Sequence, residues 1–436
     1  MYITVRTKFL IATAFAILWS ILSLYLAEHW IADITELSHA LIAWFVVFGI
    51  AIIPGFMNAF LVASLLLDKR PRRREFASEQ YPAITILIAA YNEETNIKST
   101  LDSIYRQHYH GEMKVIVVND GSSDGTMAVL RSIESKYPWL TIIDLKRNQG
   151  KSAALNHALA LVDTELTITI DGDSYLYKDA LRRLVERYMS DPSHTVAVAG
   201  AVLVRNSRKN IVTKAQEWDY FHGIAAIKRL QSLYQGTLVA QGAFSLYRTS
   251  VLRELNGWAH CVGEDIVLTW AMLEQGHRVG FAEDAVLFTN APETWRQFFN
   301  QRLRWSRGLI EAFKSHWRLL FKARMTTMFI WWNLLFPYMD IAYTFAFIPG
   351  IVLALFGIYW IAGPMTLILL PLAFIVNYIM FRVQAKMFIE QGLRVRRNIT
   401  GFIFYAFLYS MILQPACVFG YIKEFFMGSV KNWGTK

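Results

Sequence analysis

Leu166-Thr167-Ile168-Thr169-Ile170-Asp171-Gly172-Asp173-Ser174 decides the fold class: a short apolar run rich in β-branched residues stops at two carboxylates one residue apart. Open α/β sheets bind ligands outside the carboxyl ends of their strands, so a site is expected here. Paired carboxylates offer the hard oxygen ligands that Mg²⁺ or Mn²⁺ take, and such an ion can also bridge a diphosphate. Taken alone, 171–174 is better explained as an ordinary turn, because Asp, Gly and Ser are what turns prefer.

Working outward, the runs at 84–90, 114–119, 140–145 and 195–204 also read as strands, with helical stretches at 94–107 and 126–136 between the early ones. The chain from 81 to about 292 is therefore read as one α/β domain large enough to bury its own core. Its first strand ends in Tyr91-Asn92-Glu93-Glu94, and its second in Asn119-Asp120-Gly121-Ser122-Ser123-Asp124-Gly125-Thr126. Turn and helix-capping chemistry accounts for the glycines, the serines and Asp124. It does not require Asp120 at the strand end, where a carboxylate can accept hydrogen bonds from a nucleobase or ribose, nor Tyr91, whose ring offers a base a face. Polar clusters at three strand ends predict a cleft.

Asn148-Gln149-Gly150-Lys151-Ser152 opens another helix and brings a lysine and a helix N-terminus to the same edge, suited to an anionic diphosphate. The first half of a P-loop is missing, and a solvated surface charge is the plain alternative for Lys151. Gly263-Glu264-Asp265-Ile266 starts an amphipathic helix, where acidic residues favour the helix dipole. Asp265 is also a candidate general base. Gln301-Arg302-Leu303-Arg304-Trp305 reads either as membrane-surface chemistry or as a site in which Arg304 neutralises a leaving diphosphate and Trp305 stacks on a sugar.

The flanks are apolar. Of 436 residues 54% are hydrophobic and 18% charged, and the mean hydropathy is +0.29, which places part of the chain in lipid. The net charge of +10 gathers beside apolar runs, pointing to a bilayer and not to nucleic acid. Runs at 9–27 and 41–67 bracket an acidic linker, and Lys69, Arg70, Arg72, Arg73 and Arg74 follow the second, so the N-terminus and the α/β domain are expected in the cytosol. Segment 308–321 is expected to be an interfacial helix. Runs at 328–360, 365–381 and 402–421 then predict further crossings, five in all, with Lys423, Lys431 and Lys436 after the last. The expected organisation is 1–75 membrane helices and linker, 76–307 catalytic domain, 308–325 interfacial helix and 326–436 membrane region. Two cysteines, Cys261 and Cys417, are expected to be unpaired.

Tyr91-Asn92-Glu93, Asp120-Gly121-Ser122, Asp171-Gly172-Asp173, Glu264-Asp265 and Gln301-x-x-Arg304-Trp305, in this order between membrane segments, resemble the processive family-2 glycosyltransferases, the synthases of cellulose, chitin, hyaluronan and poly-β-1,6-N-acetylglucosamine. The last group is most similar locally, through 148–151, Ala291-Pro292-Glu293-Thr294 and 301–308, although Gly263 replaces the Thr common there. The resemblance implies a GT-A fold (a Rossmann-like nucleotide-sugar domain), a UDP-sugar donor, a growing polysaccharide as acceptor and inverting transfer in the inner membrane. It implies that Tyr91, Glu93 and Asp120 hold the uridine and that Lys151 lies near the nucleotide. Asp171 and Asp173 are implied to bind diphosphate and Mg²⁺ or Mn²⁺, with Asp173 the direct ligand. Asp265 becomes the base, and Glu264, Gln301, Arg304 and Trp305 line the acceptor and diphosphate. Regulation is left to a partner such as a small membrane subunit. A non-processive transferase acting on a lipid carrier and a catalytically silent scaffold are the alternatives.

Overall fold

In a computed structural model that describes residues 3–68, 76–390 and 392–426, eight strands form one mixed sheet. They are β1 (Ile84–Ala90), β2 (Met113–Asp120), β3 (Leu140–Leu145), β4 (Leu166–Ile170), β5 (Tyr175–Leu176), β6 (Thr195–Val204), β7 (Phe244–Arg248) and β8 (Arg278–Thr289). The order across the sheet is β3-β2-β1-β4-β7-β6-β8-β5. The first four strands in that order run parallel, and β7 lies antiparallel between β4 and β6. The chain steps outward from β1 to β2 and β3, then returns to place β4 on the other side of β1. That reversal leaves a crevice at the carboxyl ends of β1 and β4, where ligands bind such sheets.

Every residue of β1 is buried, which is why its sequence is continuously apolar rather than alternating. Its side chains still sort by the two-residue period of a strand. Ile84, Ile86 and Ile88 join a core under the helices Ile97–Tyr105, Thr126–Glu134 and Ala180–Ser190. Leu87 and Ala89 join the opposite core with Ala154, Leu155 and Val267, and that core runs on without a break to Ala12, Phe60, Leu65 and Phe329 of the flanking apolar helices. One hydrophobic core thus ties the sheet to those helices, each buried Leu or Phe contributing about 1.5–3 kcal/mol.

Among the described residues, four helices are long and apolar enough to cross a membrane: Val5–Leu26, Ala40–Leu67, Met325–Leu355 and Ile399–Phe426. The remaining run expected to cross, 365–381, falls within the helix Pro364–Glu390. The acidic linker forms the short helix Glu28–Leu37. Lys69 to Arg74, used above to orient the chain, lie outside the described residues, as do Lys431 and Lys436 after the last run. Both cysteines are free.

The helix expected from Gly308 begins at Trp295 and runs unbroken to His316, with a 3-10 turn from Trp317 to Phe321. Thr294 and Gln297 form a capping box at its start, which fixes the N-terminus well before the glycine. Gly308 sits in mid-helix because the buried stripe of Phe298, Arg302, Ser306, Leu309 and Ala312 passes straight through it.

Candidate active site

The loops after β1 and β2 hold one another. Asn92, at φ +56°, donates its backbone N–H to Ser122 Oγ (3.0 Å), while its Oδ1 accepts from the Ser123 amide (2.9 Å). The Glu94 amide donates to Asp124 Oδ2 and the Gly125 amide to Glu94 Oε2. Glu93 sits under this lacing, accepting from Asn96 Nδ2 at 2.9 Å and packing beside Gly172 of the β4 loop. Tyr91 is partly exposed at the mouth.

Asp120 is almost fully buried, and both its carboxylate oxygens accept backbone amides, Gln149 N–H and Gly150 N–H, each at 2.8 Å. It therefore fixes the turn that launches the helix Lys151–Leu159, in which Gly150 adopts φ +93°, a conformation open to glycine. Gly121 is needed for the same junction: at φ +64°, a Cβ there would lie 2.5 Å from the backbone of Arg147 and Asn148.

Lys151 is not a solvated surface charge. Its side chain is buried, with Nζ 2.5 Å from Asp171 Oδ1 and 3.8 Å from Glu264 Oε1. Burial works against its charge, but Asp171 and Glu264 outweigh that and hold the ammonium well above the ordinary lysine range. Glu264 shows the converse balance. Burial foremost pushes its carboxyl up to about 7, Lys151 opposes this, and the neighbouring Asp265 adds to it.

Asp265 Oδ2 accepts the Gly242 amide (3.2 Å) and Oδ1 the Ile266 amide (2.7 Å). The 239–243 strap before β7, which the sequence reading missed, runs between the two acidic groups: Gly242 meets Asp265, and Ala243 O accepts the Asp171 amide (3.3 Å). A Cβ on Gly242 would lie 2.8 Å from Lys151 Nζ, so a side chain there would push the ammonium from its place beside Asp171. Asp173, two residues along, accepts a hydrogen bond from Thr289 Oγ1 at the end of β8 (3.2 Å). Asp171, Lys151, Glu264 and Asp265 form one connected acidic line, and Asp173 stands at its edge. Among the described residues no three His, Cys, Asp or Glu side chains group to hold a metal by themselves.

The other wall is the helix Trp295–His316. Gly308 packs directly on Gly263, whose Cβ would lie 2.5 Å from the Gly308 Cα, which is why Gly stands before Glu264 here. Glu311 accepts both the Val262 and Gly263 amides (3.2 and 2.8 Å) and fixes the start of the Asp265 helix. Arg304 is partly buried, has no ion-pair partner among the described residues, and acts electrostatically on Glu264. Trp305 is 41% exposed, its ring 6.3 Å from that of Tyr220, a residue within electrostatic reach of Asp173 and Arg304. Among the described residues, Gln301 Oε1 is buried without a hydrogen-bond partner. Arg302, read above only as a spacer, is the most deeply set: it pairs with Asp219 (2.9 Å), donates to Tyr409 Oη (3.0 Å) and lies 4.0 Å from the Trp305 ring centre.

The structure thus brings Tyr91, Glu93, Asp120, Lys151, Asp171, Asp173, Glu264 and Asp265 to one sheet edge, with Gln301, Arg304 and Trp305 on the facing helix. The family described as Glycosyltransferase like family 2 matches residues 82–308. A poly-beta-1,6-N-acetyl-D-glucosamine synthase of Staphylococcus aureus is 30% identical over 243 residues, which is 56% of this chain and 57% of that protein. One from Staphylococcus epidermidis is 27% identical over 286 residues, 64% and 68% of the two chains. The chain thus spans little more than half the length of the first of these curated relatives. Among solved structures, a mannosyltransferase of Pyrobaculum calidifontis, determined with GDP-mannose and Mn²⁺, superposes with TM-score 0.58 at 19% identity, over 86% of this chain and 95% of that one.

Proposed function

The chain belongs to the glycosyltransferase-like family 2, and from that premise we propose that it polymerises a UDP-sugar at the bilayer, adding N-acetylglucosamine to a growing polysaccharide that passes out through its membrane helices. The observation that carries this reading is the acidic line from Asp171 through Lys151 and Glu264 to Asp265, because it puts a diphosphate-compatible lysine and a candidate base on one edge of one cleft. The relatives named poly-beta-1,6-N-acetyl-D-glucosamine synthase support the sugar, four helices of spanning length support the membrane setting, and the basic run Lys69, Arg70, Arg72, Arg73 and Arg74 after the second apolar run supports a cytosolic catalytic domain.

The uridine is assigned to the laced loops, against Tyr91 and Glu93, with Asp120 shaping the turn beneath. Oxygen donors at Asp171 and Asp173 suit Mg²⁺ or Mn²⁺, which would take its remaining ligands from the donor diphosphate and water and offset the negative charge that grows on the leaving group. Lys151 and Arg304 add fixed positive charge for the same anion. Asp265 takes the proton of the acceptor hydroxyl as that oxygen bonds to the anomeric carbon from the face opposite UDP, so the bond to UDP breaks with inversion. Trp305 and Gln301 present the acceptor end. Trp317 and Phe321, both exposed, would rest at the membrane surface.

The test is product length. Purified protein in lipid nanodiscs, given UDP-N-acetylglucosamine and Mg²⁺ or Mn²⁺, is expected to yield polymer that a β-1,6-specific hydrolase degrades. A product limited to one sugar on a lipid would overturn the polymerase reading, and no transfer from this donor would overturn the choice of sugar.

A further inference from the structure

Arg302 takes no part in the transfer step above. It is only 4% exposed, and a buried guanidinium is costly unless it is paired and hydrogen-bonded. A closed triangle meets both conditions: Arg302 pairs with Asp219 at 2.9 Å and donates to Tyr409 Oη at 3.0 Å, and Tyr409 Oη donates to Asp219 Oδ2 at 2.8 Å. Asp219 follows the helix Ile211–Trp218, and Tyr409 lies within the spanning helix Ile399–Phe426. The triangle leaves Arg302 Nε over, buried with no hydrogen-bond partner among the described residues.

Aromatic rings surround the guanidinium instead. Its carbon lies 4.0 Å from the Trp305 ring centre, 5.0 Å from that of Phe298 and 6.0 Å from those of Tyr220 and Tyr409. Trp305 follows Arg302 by three residues, the spacing that brings two side chains of one helix together. A cation and an indole face attract most when both are out of water, and a planar guanidinium can stack while its edge serves the triangle, which an ammonium cannot do. Trp305 itself is 41% exposed, and its other ring contact is Tyr220 at 6.3 Å, so Arg302 is the nearer support. Docking of the C-terminal helix does not by itself call for Arg302, because Arg307 and Lys314 already meet Glu424 of that helix at 3.1 and 2.9 Å.

We propose that Arg302 is a positioning residue for the acceptor: pinned by Asp219 and Tyr409, its guanidinium holds the Trp305 ring in the plane on which the terminal sugar of the growing chain stacks. Through Tyr409 the spanning helix then sets the geometry of the acceptor subsite. This rests on Trp305 being the acceptor platform of a polymerase.

The test is product length at saturating UDP-N-acetylglucosamine, together with the donor KM, measured on the full chain in nanodiscs. A looser platform lets the chain leave sooner relative to each addition, whereas fewer folded molecules make less product of the same length. Arg302→Lys keeps the charge and gives up the stacked plane, and its mean product length is expected to fall about tenfold with a donor KM within about twofold of wild type. Tyr409→Phe keeps the ring and removes the hydroxyl, and is expected to shorten the product by less. Because Arg302 acts through Trp305, Arg302→Lys is expected to cause no further shortening in the Trp305→Ala background. Product of wild-type length from Arg302→Lys, or added shortening in that background, overturns the proposal and leaves Arg302 a structural ion pair. Should Arg302→Lys fold poorly, Tyr409→Phe is held to the same outcomes. Trp305→Ala separates the readings. Wild-type length in that variant sinks the acceptor platform itself, whereas short product there beside wild-type length in Arg302→Lys sinks only the role of Arg302. A wild type that makes no polymer sinks the polymerase reading and this proposal with it.

Discussion

On one side of the cleft, the loops after β1 and β2 lace together through Asn92, Glu94, Ser122, Ser123 and Asp124, all within one pair of neighbouring strand ends. On the other, Asp265 and the helix Trp295–His316 are held by contacts between segments far apart in the chain: Gly263 on Gly308, Glu311 on the Gly263 amide, Arg302 on Asp219 and Tyr409, and Arg307 on Glu424. The first side is a property of the sheet edge. The second exists only once the C-terminal apolar helix, which carries buried Glu424 between Arg307 and Lys314, has docked. The strand-edge wall should therefore tolerate damage to the membrane region better than the helical wall does.

The largest effect is expected at the proposed base, Asp265. Asp265→Asn can accept only one of the Gly242 and Ile266 amides and loses the capacity to take a proton, so kcat is expected to fall by ~10²–10⁴-fold, far more than a stability loss of about 1–2 kcal/mol would explain. Steady-state UDP release checks it, and a loss below tenfold would move the base elsewhere.

Next is the joint that only the helical wall has. Gly308→Val places a Cβ 2.8 Å from the Gly263 Cα, against backbone that cannot move aside. A stability loss of about 1–3 kcal/mol is expected, read as a lower melting temperature, together with a larger fall in kcat than in donor affinity. Equal loss of donor affinity would erase the distinction between the two walls.

The matching change on the strand-edge wall is Asp120→Asn. An amide can accept only one of the two backbone N–H groups of Gln149 and Gly150, and it turns its own donors toward the other. About 1–2 kcal/mol of stability should be lost, with the effect on turnover concentrated in the KM for the donor.

Much of the strand-edge wall could be read from sequence because each polar cluster directly follows an apolar run. The runs at 84–90, 114–119, 140–145, 166–171 and 195–204 all fall on strands. β8 escaped because its pattern is broken. Ala282 pairs with Gly200 and Val286 with Ala201, so 283–285 bulge out of register and bring Glu283 and Asp284 into what is otherwise an apolar strand. A surface charge stood as the plain alternative for Lys151 because its burial depends on Asp171 and Glu264, which approach from other elements. The depth of Arg302 was hidden for the same reason, since Asp219 and Tyr409 become its neighbours only in three dimensions, whereas the helix start at Trp295 carries a local signal, the Thr294 and Gln297 capping box, that the reading from Gly308 passed over.

A smaller effect concerns pH. Folding raises the Glu264 carboxyl to about 7, mainly through burial, so the native state binds a proton that the unfolded chain has already released. That contribution is complete below the unfolded value near 4.5 and is lost as pH rises toward 7. Glu264→Gln cannot titrate, so its melting temperature should fall less than that of wild type across this window. Parallel melting curves would remove Glu264 from the buried line.

In the proposed mechanism Asp171 and Asp173 form a cation-dependent donor site on the strand-edge wall. Isothermal titration of UDP-N-acetylglucosamine into the purified protein, with Mn²⁺ and after its removal by chelation, tests this most directly in wild type and Asp173→Asn. Binding is expected in wild type with the cation, and is expected to be lost both on chelation and in the variant. Equal affinity in all of these conditions would contradict it.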